Sequence, residues 1–210
     1  MYSKLQYISQ GETSLEQVEN ISRALDAGCQ WIQLRFKHAT EEARREVAKK
    51  ARAKCIDYKA TFIVNDHVEL AREVDADGVH LGLKDTAIDA ARIILGREKI
   101  IGGTANTIHD VLKRVDERCD YVGLGPFRFT ATKEKLSPVL GVSGYVDIMH
   151  EVNARNISMP VFAIGGIKPD DLEELMNSGV YGIAVSGVIT HHRSQKELIE
   201  QLNAILYATT

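Results

Sequence analysis

The sequence predicts one domain, residues 1–210, with the α/β fold of a (β/α)8 TIM barrel. Eight short apolar runs recur along the chain, and longer stretches with helical spacing separate them. Strands that alternate with helices form parallel sheets with both faces buried. A closed barrel explains eight runs better than an open sheet does, and such a barrel needs at least about 200 residues. The predicted strands are Leu5–Ser9, Cys29–Arg35, Thr61–Val64, Asp77–Leu81, Lys99–Gly102, Asp120–Leu124, Pro160–Ile164 and Gly182–Val185.

Apolar residues at helical spacing predict three of the connecting helices in detail. The first helix has Ser14 as its cap, and one of its faces carries Leu15, Val18, Ile21, Ser22 and Leu25. After the seventh strand, Pro169 suits the first turn of a helix and Gly179 its end. The apolar face of that helix is formed by Leu172, Leu175 and Met176. The last helix, from Glu197 to Tyr207, has an apolar stripe of Leu198, Ile199, Leu202, Ile205 and Leu206.

Composition excludes several classes of partner. The net charge is −3 and the pI about 6.2, so no general basic field attracts nucleic acid or a membrane surface. The three cysteines are odd in number and fit no zinc spacing, which favours reduced thiols. Neither a signal-peptide core after Met1 nor a membrane-spanning run is visible. We expect a cytoplasmic protein with small-molecule partners, and the sequence leaves open whether it forms a homo-oligomer.

Polar residues gather where the second predicted strand ends. Alternation places Gln33, Arg35 and Lys37 on one face of this strand and packs Leu34 and Phe36 under the helices. In a barrel, the carboxyl ends of the strands surround the site of chemistry. A guanidinium and an ammonium there suit a phosphate or diphosphate. The alternative is a solvated strand end with snorkelling side chains.

Two carboxylates follow the third and fourth predicted strands, which should be neighbours. Asp66 comes directly after Asn65, and Asp85 follows the next strand. Mg²⁺ takes one or two protein carboxylates and completes its shell with water and phosphate oxygens, so the pair predicts a magnesium site. The alternative is that each aspartate caps the helix that follows it.

Glycines mark the ends of the last two strands. Gly165 and Gly166 end the seventh, and Ser186 with Gly187 ends the eighth. Loops after these strands commonly bind phosphate through backbone N–H groups, which glycine lets a ligand approach closely. The alternative for the glycine pair is an ordinary turn.

One long connection and the histidines complete the pattern. The stretch from Gly125 to Gly141 has no helical or strand period, and a long loop in a compact domain is usually functional or disordered. His80 should pack or hydrogen-bond inside the barrel, whereas His191 and His192 are typical of a solvated loop. No Ser-His-Asp or Cys-His arrangement predicts a nucleophile.

Taken in order, these segments resemble the thiamine phosphate synthase (thiamine-phosphate pyrophosphorylase) family nearly from end to end. Thr104 stands where serine is usual, and Phe36 where an acid is common. The matching segments are Gln33-Leu34-Arg35-Phe36-Lys37, Asn65-Asp66-His67, Asp77 to Gly82 with Asp85, Ile101 to Thr104, Tyr121 to Pro126, Thr130-Ala131-Thr132-Lys133 and Ile164-Gly165-Gly166-Ile167.

The resemblance implies an Mg²⁺-dependent transferase. It would join a hydroxymethylpyrimidine diphosphate to a hydroxyethylthiazole phosphate, with release of pyrophosphate. By the same resemblance, Asp66 and Asp85 would bind Mg²⁺, and the charge on the leaving group would be neutralised by Arg35, Lys37 and Lys133. The pyrimidine diphosphate would be bound by Gln33, Leu34, Arg35, Phe36, Lys37, Asn65, Thr104 and Lys133. The thiazole phosphate would be bound by Thr130, Ala131, Thr132, Gly166, Ser186 and Gly187.

Two other functions share this scaffold. A thiazole tautomerase would use the thiazole phosphate site without coupling, and a non-catalytic protein would bind the thiazole phosphate for regulation. Asp66 and Asp85 favour coupling over both, because neither alternative has a diphosphate to ionise. Release of pyrophosphate from the two substrates in the presence of Mg²⁺ distinguishes the three functions.

Overall fold

The computed structural model describes residues 1–129 and 138–208. Within these residues eight parallel strands close into a barrel, in which each strand pairs with the next and the eighth pairs with the first. The (β/α)8 barrel is therefore confirmed, and each strand overlaps one predicted run. The strands are β1 Leu5–Ile8, β2 Trp31–Leu34, β3 Thr61–Asn65, β4 Gly78–Leu81, β5 Ile100–Ala105, β6 Tyr121–Leu124, β7 Val161–Ile164 and β8 Gly182–Val185.

Helices surround the barrel, and the main apolar core lies between them and the outward faces of the strands. Among the described residues no helix is long and apolar enough to cross a membrane. The three cysteines are free and buried. A 3₁₀ turn, Pro169–Asp171, precedes α7. The helices are α1 Ser14–Asp26, α2 Glu41–Asp57, α3 Val68–Glu73, α4 Ile88–Leu95, α5 Ile108–Asp116, α6 Gly141–Ala154, α7 Leu172–Asn177, α8 Gly187–Thr190 and α9 Gln195–Ala208.

The start of α1 differs from the sequence prediction by one residue. Thr13, not Ser14, is the cap: its hydroxyl accepts a hydrogen bond from the backbone N–H of Glu16. The Glu16 carboxylate accepts the N–H of Thr13 in return. This reciprocal capping box satisfies two donors that the first helical turn leaves open, which a cap at Ser14 would not do.

The buried face of α1 also differs from the prediction. Leu15 is 67% exposed, whereas Ile21 and Leu25 are buried as expected. Gln17 and Asn20 are buried in its place, because their side-chain amides donate to backbone carbonyls of the preceding loop, at 2.9 and 2.6 Å. Buried amides are stable where such partners exist. The helix thus holds the β1 loop with polar contacts rather than with an apolar stripe alone.

The apolar faces of the two later helices are confirmed. Leu172 and Leu175 of α7 are fully buried, and the backbone of Gly179 has the positive φ typical of a helix end. On α9, Leu198 and Leu202 are buried in the same core. Both faces belong to the main core, which also includes residues of β7 and β8.

Part of the long connection between β6 and α6 is described. Its two ends meet: the N–H of Leu140 donates to the carbonyl of Pro126, and the N–H of Gly141 to that of Phe127, both at 3.0 Å. Residues 130–137 lie outside the described residues, and Thr130, Ala131, Thr132 and Lys133 are among them.

The amino-terminal half of the barrel interior is filled by aromatic rings. Trp31 lies 5.0 Å from Tyr121 and 5.2 Å from Phe162, measured between ring centroids and packed edge to face. Ile63 completes this cluster. A Cβ on Gly102, on the neighbouring strand, would come within 2.2 Å of the Tyr121 ring. Glycine therefore makes the room that the ring occupies, and the barrel is closed at this end.

We predict that Phe162→Ala destabilises the protein by about 3–5 kcal/mol, the usual cost of truncating a buried aromatic ring. Its side chain is fully buried against Trp31, Tyr121 and Tyr181, so truncation leaves a cavity inside a closed barrel. The free energy of unfolding in denaturant measures the effect. Phe129→Ala is the matched control, since Phe129 is 64% exposed and its truncation should change stability by less than about 0.5 kcal/mol. Equal losses in both variants would contradict the packing described here.

Candidate active site

A cavity of about 390 Å³ opens at the carboxyl ends of the strands. The loops after β7 and β8 form one wall, and Arg35, at the end of β2, reaches the same space. The loop residues that line it are Gly165, Gly166, Ile167, Ser186, Gly187 and Val188. The structure therefore brings the predicted glycine segments together with one of the predicted cations. Gln10 and His191 also line the cavity, and His191 is exposed, as expected, while it borders the site.

The backbone at Gly165 and Gly166 requires glycine. Their φ angles are +92° and +71°, in the left-handed region that side chains rarely adopt. A Cβ on Gly165 would lie 2.8 Å from the Cβ of Pro126, and one on Gly166 would lie 3.0 Å from the Cβ of Arg128. The pair is thus more than an ordinary turn, because it lets the β6 loop pack directly against the cavity wall.

The two predicted metal ligands lie side by side at the ends of β3 and β4. The Asp66 carboxyl is partly buried, and the Asp85 carboxyl is its neighbour. Burial and the neighbouring Asp85 raise the pKa of Asp66 to about 6, although Lys37 and Arg35 act in the opposite direction. Each carboxylate makes the negative charge of the other less favourable, and a bound cation would offset this repulsion. Among residues 1–129 and 138–208, no cluster of three or more His, Cys, Asp and Glu suited to a metal occurs.

Neither aspartate caps the helix that follows it. His67 precedes α3 and Ala87 precedes α4 at the cap positions. The Asp85 carboxylate instead accepts the N–H of Gly82 at 2.6 Å, and the N–H of Asp66 donates to the carbonyl of His80 at 2.9 Å. Asp66 itself has a φ of +64°. The capping alternative is wrong: these bonds fix the backbone of Asp66 and the carboxylate of Asp85 at the mouth of the barrel.

Buried amides connect β2 to β3 below the carboxylates. The Nε2 of Gln33 donates to the Oδ1 of Asn65 at 2.7 Å, and both side chains are buried. This bond orients the Asn65 amide so that its nitrogen is the end directed away from Gln33. The two side chains are therefore held as one pair across neighbouring strands.

A second polar chain crosses the barrel interior at the same level. The Nε2 of Gln6 donates to the hydroxyl of Tyr121 at 3.3 Å, and that hydroxyl lies 3.0 Å from the Nδ1 of His80. The Nε2 of His80 lies 3.1 Å from the hydroxyl of Thr104. Burial raises the pKa of Tyr121, which keeps its hydroxyl protonated. The expected hydrogen-bonding role of His80 is confirmed, and its ring connects the aromatic cluster to a predicted binding residue.

The predicted residues on β2 divide between core and rim. The side chains of Leu34 and Phe36 are buried in the main core, so any contact they make with a ligand would use the backbone. Lys37 borders a small recess that is also lined by Asn65 and Asp66. The alternation expected from the sequence is therefore observed.

Arg114 of α5 is a site-supporting residue that no sequence pattern singled out. Its side chain is 4% exposed, and it donates from Nε to the carbonyl of Thr104 at 3.1 Å and from Nη2 to that of Gly82 at 3.0 Å. One guanidinium thus joins the β5 end to the loop that Asp85 stabilises. Helix periodicity alone marks Arg114 as an ordinary charged residue, because its partners belong to other elements.

We predict that Gly165→Ala costs about 1–3 kcal/mol of stability, because alanine would be strained at this φ and would contact Pro126. Gly187→Ala is the control, since a Cβ there would first meet the end of the Gln10 side chain at 3.3 Å. Its effect should stay within about 0.5 kcal/mol. Denaturant unfolding of both variants checks the difference. A neutral Gly165→Ala would show that the loop does not require this backbone.

Comparisons with known proteins agree with this geometry. The family model described as thiamine monophosphate synthase matches residues 5–189. A thiamine-phosphate synthase from Flavobacterium johnsoniae is 57% identical over 208 residues, which are 99% of this chain and 98% of that protein. One from Flavobacterium psychrophilum is 55% identical over 203 residues, 97% of this chain and 98% of the relative.

A solved structure gives the same result. Thiamine phosphate pyrophosphorylase from Pyrococcus furiosus superimposes with a TM-score of 0.85 at 32% identity, over 98% of this chain and 96% of that one. Sequence and backbone therefore agree over nearly the whole length. The chain belongs to the thiamine monophosphate synthase family.

Proposed function

We propose that this chain couples 4-amino-2-methyl-5-(diphosphooxymethyl)pyrimidine to 4-methyl-5-(2-phosphooxyethyl)thiazole, giving thiamine phosphate and pyrophosphate. Membership of the family makes the chain a transferase of thiamine biosynthesis. One observation carries the proposal. Arg35 lines the cavity beside Gly165 and Gly166, and its charge also acts to lower the pKa of Asp66. Two anion sites would thus share one cation, which suits two phosphorylated substrates that must meet in order to react.

The pyrimidine diphosphate would lie over the ends of β2 to β5. The buried Gln33–Asn65 pair and the Thr104 hydroxyl offer donors and acceptors to a pyrimidine ring. Arg35 and Lys37 would bind the diphosphate, with the backbone of Leu34 and Phe36 beside it. Lys133, which lies outside the described residues, is proposed for the same diphosphate on the family resemblance.

The thiazole phosphate would occupy the cavity lined by the loops after β7 and β8, which we call the glycine cavity. Backbone N–H groups of Gly166, Ser186 and Gly187 would bind its phosphate, and the volume of about 390 Å³ suits a small ring with a short tail. Thr130, Ala131 and Thr132 would line the thiazole ring, again on the resemblance. Arg35 would then separate the two phosphorylated ends and leave the rings free to face each other.

Asp66 and Asp85 would hold Mg²⁺. The donor set fits, because two adjacent carboxylates, one with a raised pKa, can gain from a divalent cation whose remaining positions are taken by water and diphosphate oxygens. When bound there, Mg²⁺ would supply charge neutralisation for the departing pyrophosphate.

The reaction requires little from the protein beyond charge and position. The bond between the pyrimidine methylene carbon and the diphosphate oxygen breaks, and the electron pair leaves with pyrophosphate. The thiazole nitrogen then donates its pair to the ring-stabilised cation. Arg35 and Lys37 stabilise the charge that develops on the leaving group, and the polar pairs below hold the pyrimidine in line. The thiazole nitrogen is itself the nucleophile, so this chemistry needs none from the protein, consistent with the lack of any predicted one.

A thiazole tautomerase would use the same cavity without coupling. The adjacent carboxylates and the cations beside them favour coupling. Incubation with both substrates and Mg²⁺ should release one pyrophosphate for each thiamine phosphate formed. Thiazole isomerisation without pyrophosphate release, or thiazole phosphate binding without turnover, would contradict the proposed coupling.

Asp66→Asn and Asp85→Asn should each lower the coupling rate by about a hundredfold or more, because each removes a carboxylate from the metal site. Steady-state rates across a range of Mg²⁺ concentrations measure this. Asp89→Asn, on the exposed first turn of α4, is the control and should retain full activity. Wild-type activity that survives EDTA, or full activity of both site variants, would contradict a metal at this pair.

Lys133→Ala should lower the single-turnover coupling rate far more than it weakens thiazole phosphate binding. A contact that strengthens as charge develops on the leaving group affects the chemical step, and its loss costs on the order of 3 kcal/mol, roughly a hundredfold in rate. Lys135→Ala, two residues along, is the control. A near-normal rate for Lys133→Ala, or a loss confined to thiazole phosphate affinity, would place Lys133 outside the chemistry.

A further inference from the structure

An arginine–carboxylate fork joins the loops after β6 and β7. Nη1 of Arg128 lies 2.7 Å from Oδ2 of Asp171, and Nη2 lies 2.8 Å from Oδ1. The Asp171 side chain is only 13% exposed. Two parallel N–H···O bonds of this kind fix orientation as well as distance, which a single ammonium cannot do.

Both partners of the fork also bind the backbone of the loop after β7, residues 164–168, which we call the glycine loop. Nη1 of Arg128 donates to the carbonyl of Gly166 at 2.7 Å, and Oδ2 of Asp171 accepts the N–H of Lys168 at 2.7 Å. The fork therefore holds the loop at two points, one on each side of Ile167.

Main-chain bonds bring the same two loops together upstream. The N–H of Phe127 donates to the carbonyl of Ile164 at 2.8 Å, and the N–H of Arg128 to that of Gly165 at 2.9 Å. The guanidinium also lies over the Phe127 ring, 4.9 Å from its centroid. The β6 loop thus follows the glycine loop residue by residue, and the fork closes the end of this pairing.

The position of Arg128 is behind the cavity wall. Gly165, Gly166 and Ile167 line the cavity, and Arg128 grips the opposite side of Gly166 through its carbonyl. When a peptide carbonyl is held by a donor, the plane of that peptide and the direction of its N–H are fixed with it. Arg128 holds two successive peptides in this way: its side chain holds the Gly166 carbonyl, whose peptide carries the N–H of Ile167, and its backbone N–H holds the Gly165 carbonyl, whose peptide carries the N–H of Gly166. The N–H of Gly166 is a proposed ligand of the thiazole phosphate, so the fork fixes the peptide next to that ligand.

We infer that the Arg128–Asp171 fork positions the glycine loop for the thiazole phosphate, so that it controls affinity for this substrate and not for the pyrimidine diphosphate. The inference rests on the proposed function. Arg128 and Asp171 are positioning residues, since neither needs to touch the ligand.

Arg128→Met and Asp171→Asn test the fork, and Arg128→Lys keeps the charge while it removes the bidentate geometry. Arg155→Met is the matched control, because Arg155 pairs with Glu151 on the exposed face of α6, far along the helix from the cavity. For each variant we would measure the KM of both substrates, calorimetric binding of the thiazole phosphate, and hydrogen exchange of residues 164–168.

We expect Arg128→Met and Asp171→Asn to weaken thiazole phosphate binding about tenfold, within the range of coupling between contacting groups. The KM for the pyrimidine diphosphate should stay unchanged, exchange in the glycine loop should accelerate, and the double variant should be no weaker than the single ones. Arg128→Lys should lie between Arg128→Met and wild type, and Arg155→Met should match wild type.

Unchanged thiazole phosphate affinity in both fork variants, beside a wild type that binds it, would overturn this inference alone. Equal losses for the two substrates would also overturn it, because they would indicate a general structural effect. A wild type that does not bind thiazole phosphate would overturn the proposed function and this inference with it.

Discussion

Tyr121 connects the two halves of the barrel interior. Its ring packs against Trp31 and Phe162 in the closed amino-terminal half, in the space that Gly102 leaves. Its hydroxyl, at the other end of the same ring, bonds to Gln6 and His80. Because a buried hydroxyl needs partners, the change from apolar packing to hydrogen bonding occurs within one side chain. The position of Tyr121 therefore marks where the apolar part of the barrel interior ends and the polar part begins.

Above Tyr121 the interior is polar, and most of its groups satisfy one another. The Gln33–Asn65 pair and the chain through His80 to Thr104 form a floor of fixed donors and acceptors. The cost of burying them is offset only where these bonds are made, so their orientations are set before a ligand arrives. At the rim, by contrast, burial and the neighbouring Asp85 raise the pKa of Asp66, so that its ionised form is disfavoured there. The interior is thus fixed by its own hydrogen bonds, whereas the rim holds a carboxyl pair that a cation would stabilise.

The sequence predicts much of this because barrel strands have a strict alternation. The eight runs, the inward set of Gln33, Arg35 and Lys37, and the glycine loops all follow from local pattern, and the family resemblance supplied their roles. Wherever the outcome depends on a partner distant in sequence, local pattern is insufficient. Leu15 is exposed because two amides of α1 bind a loop instead, and the aspartates leave the cap positions because each bonds elsewhere.

The same limit applies to the supporting arginines. Arg114 and Arg128 act on residues 32 and 43 positions away, respectively, and nothing in their own neighbourhood indicates those partners. Only the closure of the barrel brings such segments together. What the sequence indicates well is therefore which strand ends carry polar and charged side chains, and what it leaves to the structure is how those ends are held.

The central claim is that two anion sites share Arg35 at one rim. A crystal structure of the protein with thiamine phosphate, pyrophosphate and Mg²⁺ tests it most directly. The pyrophosphate should contact Lys37 directly and should reach Asp66 and Asp85 through the metal. The thiamine phosphate should place its phosphate on the loops after β7 and β8, with Arg35 between the two ligands. Pyrophosphate bound in the glycine cavity, or a metal bound away from Asp66 and Asp85, would contradict the claim.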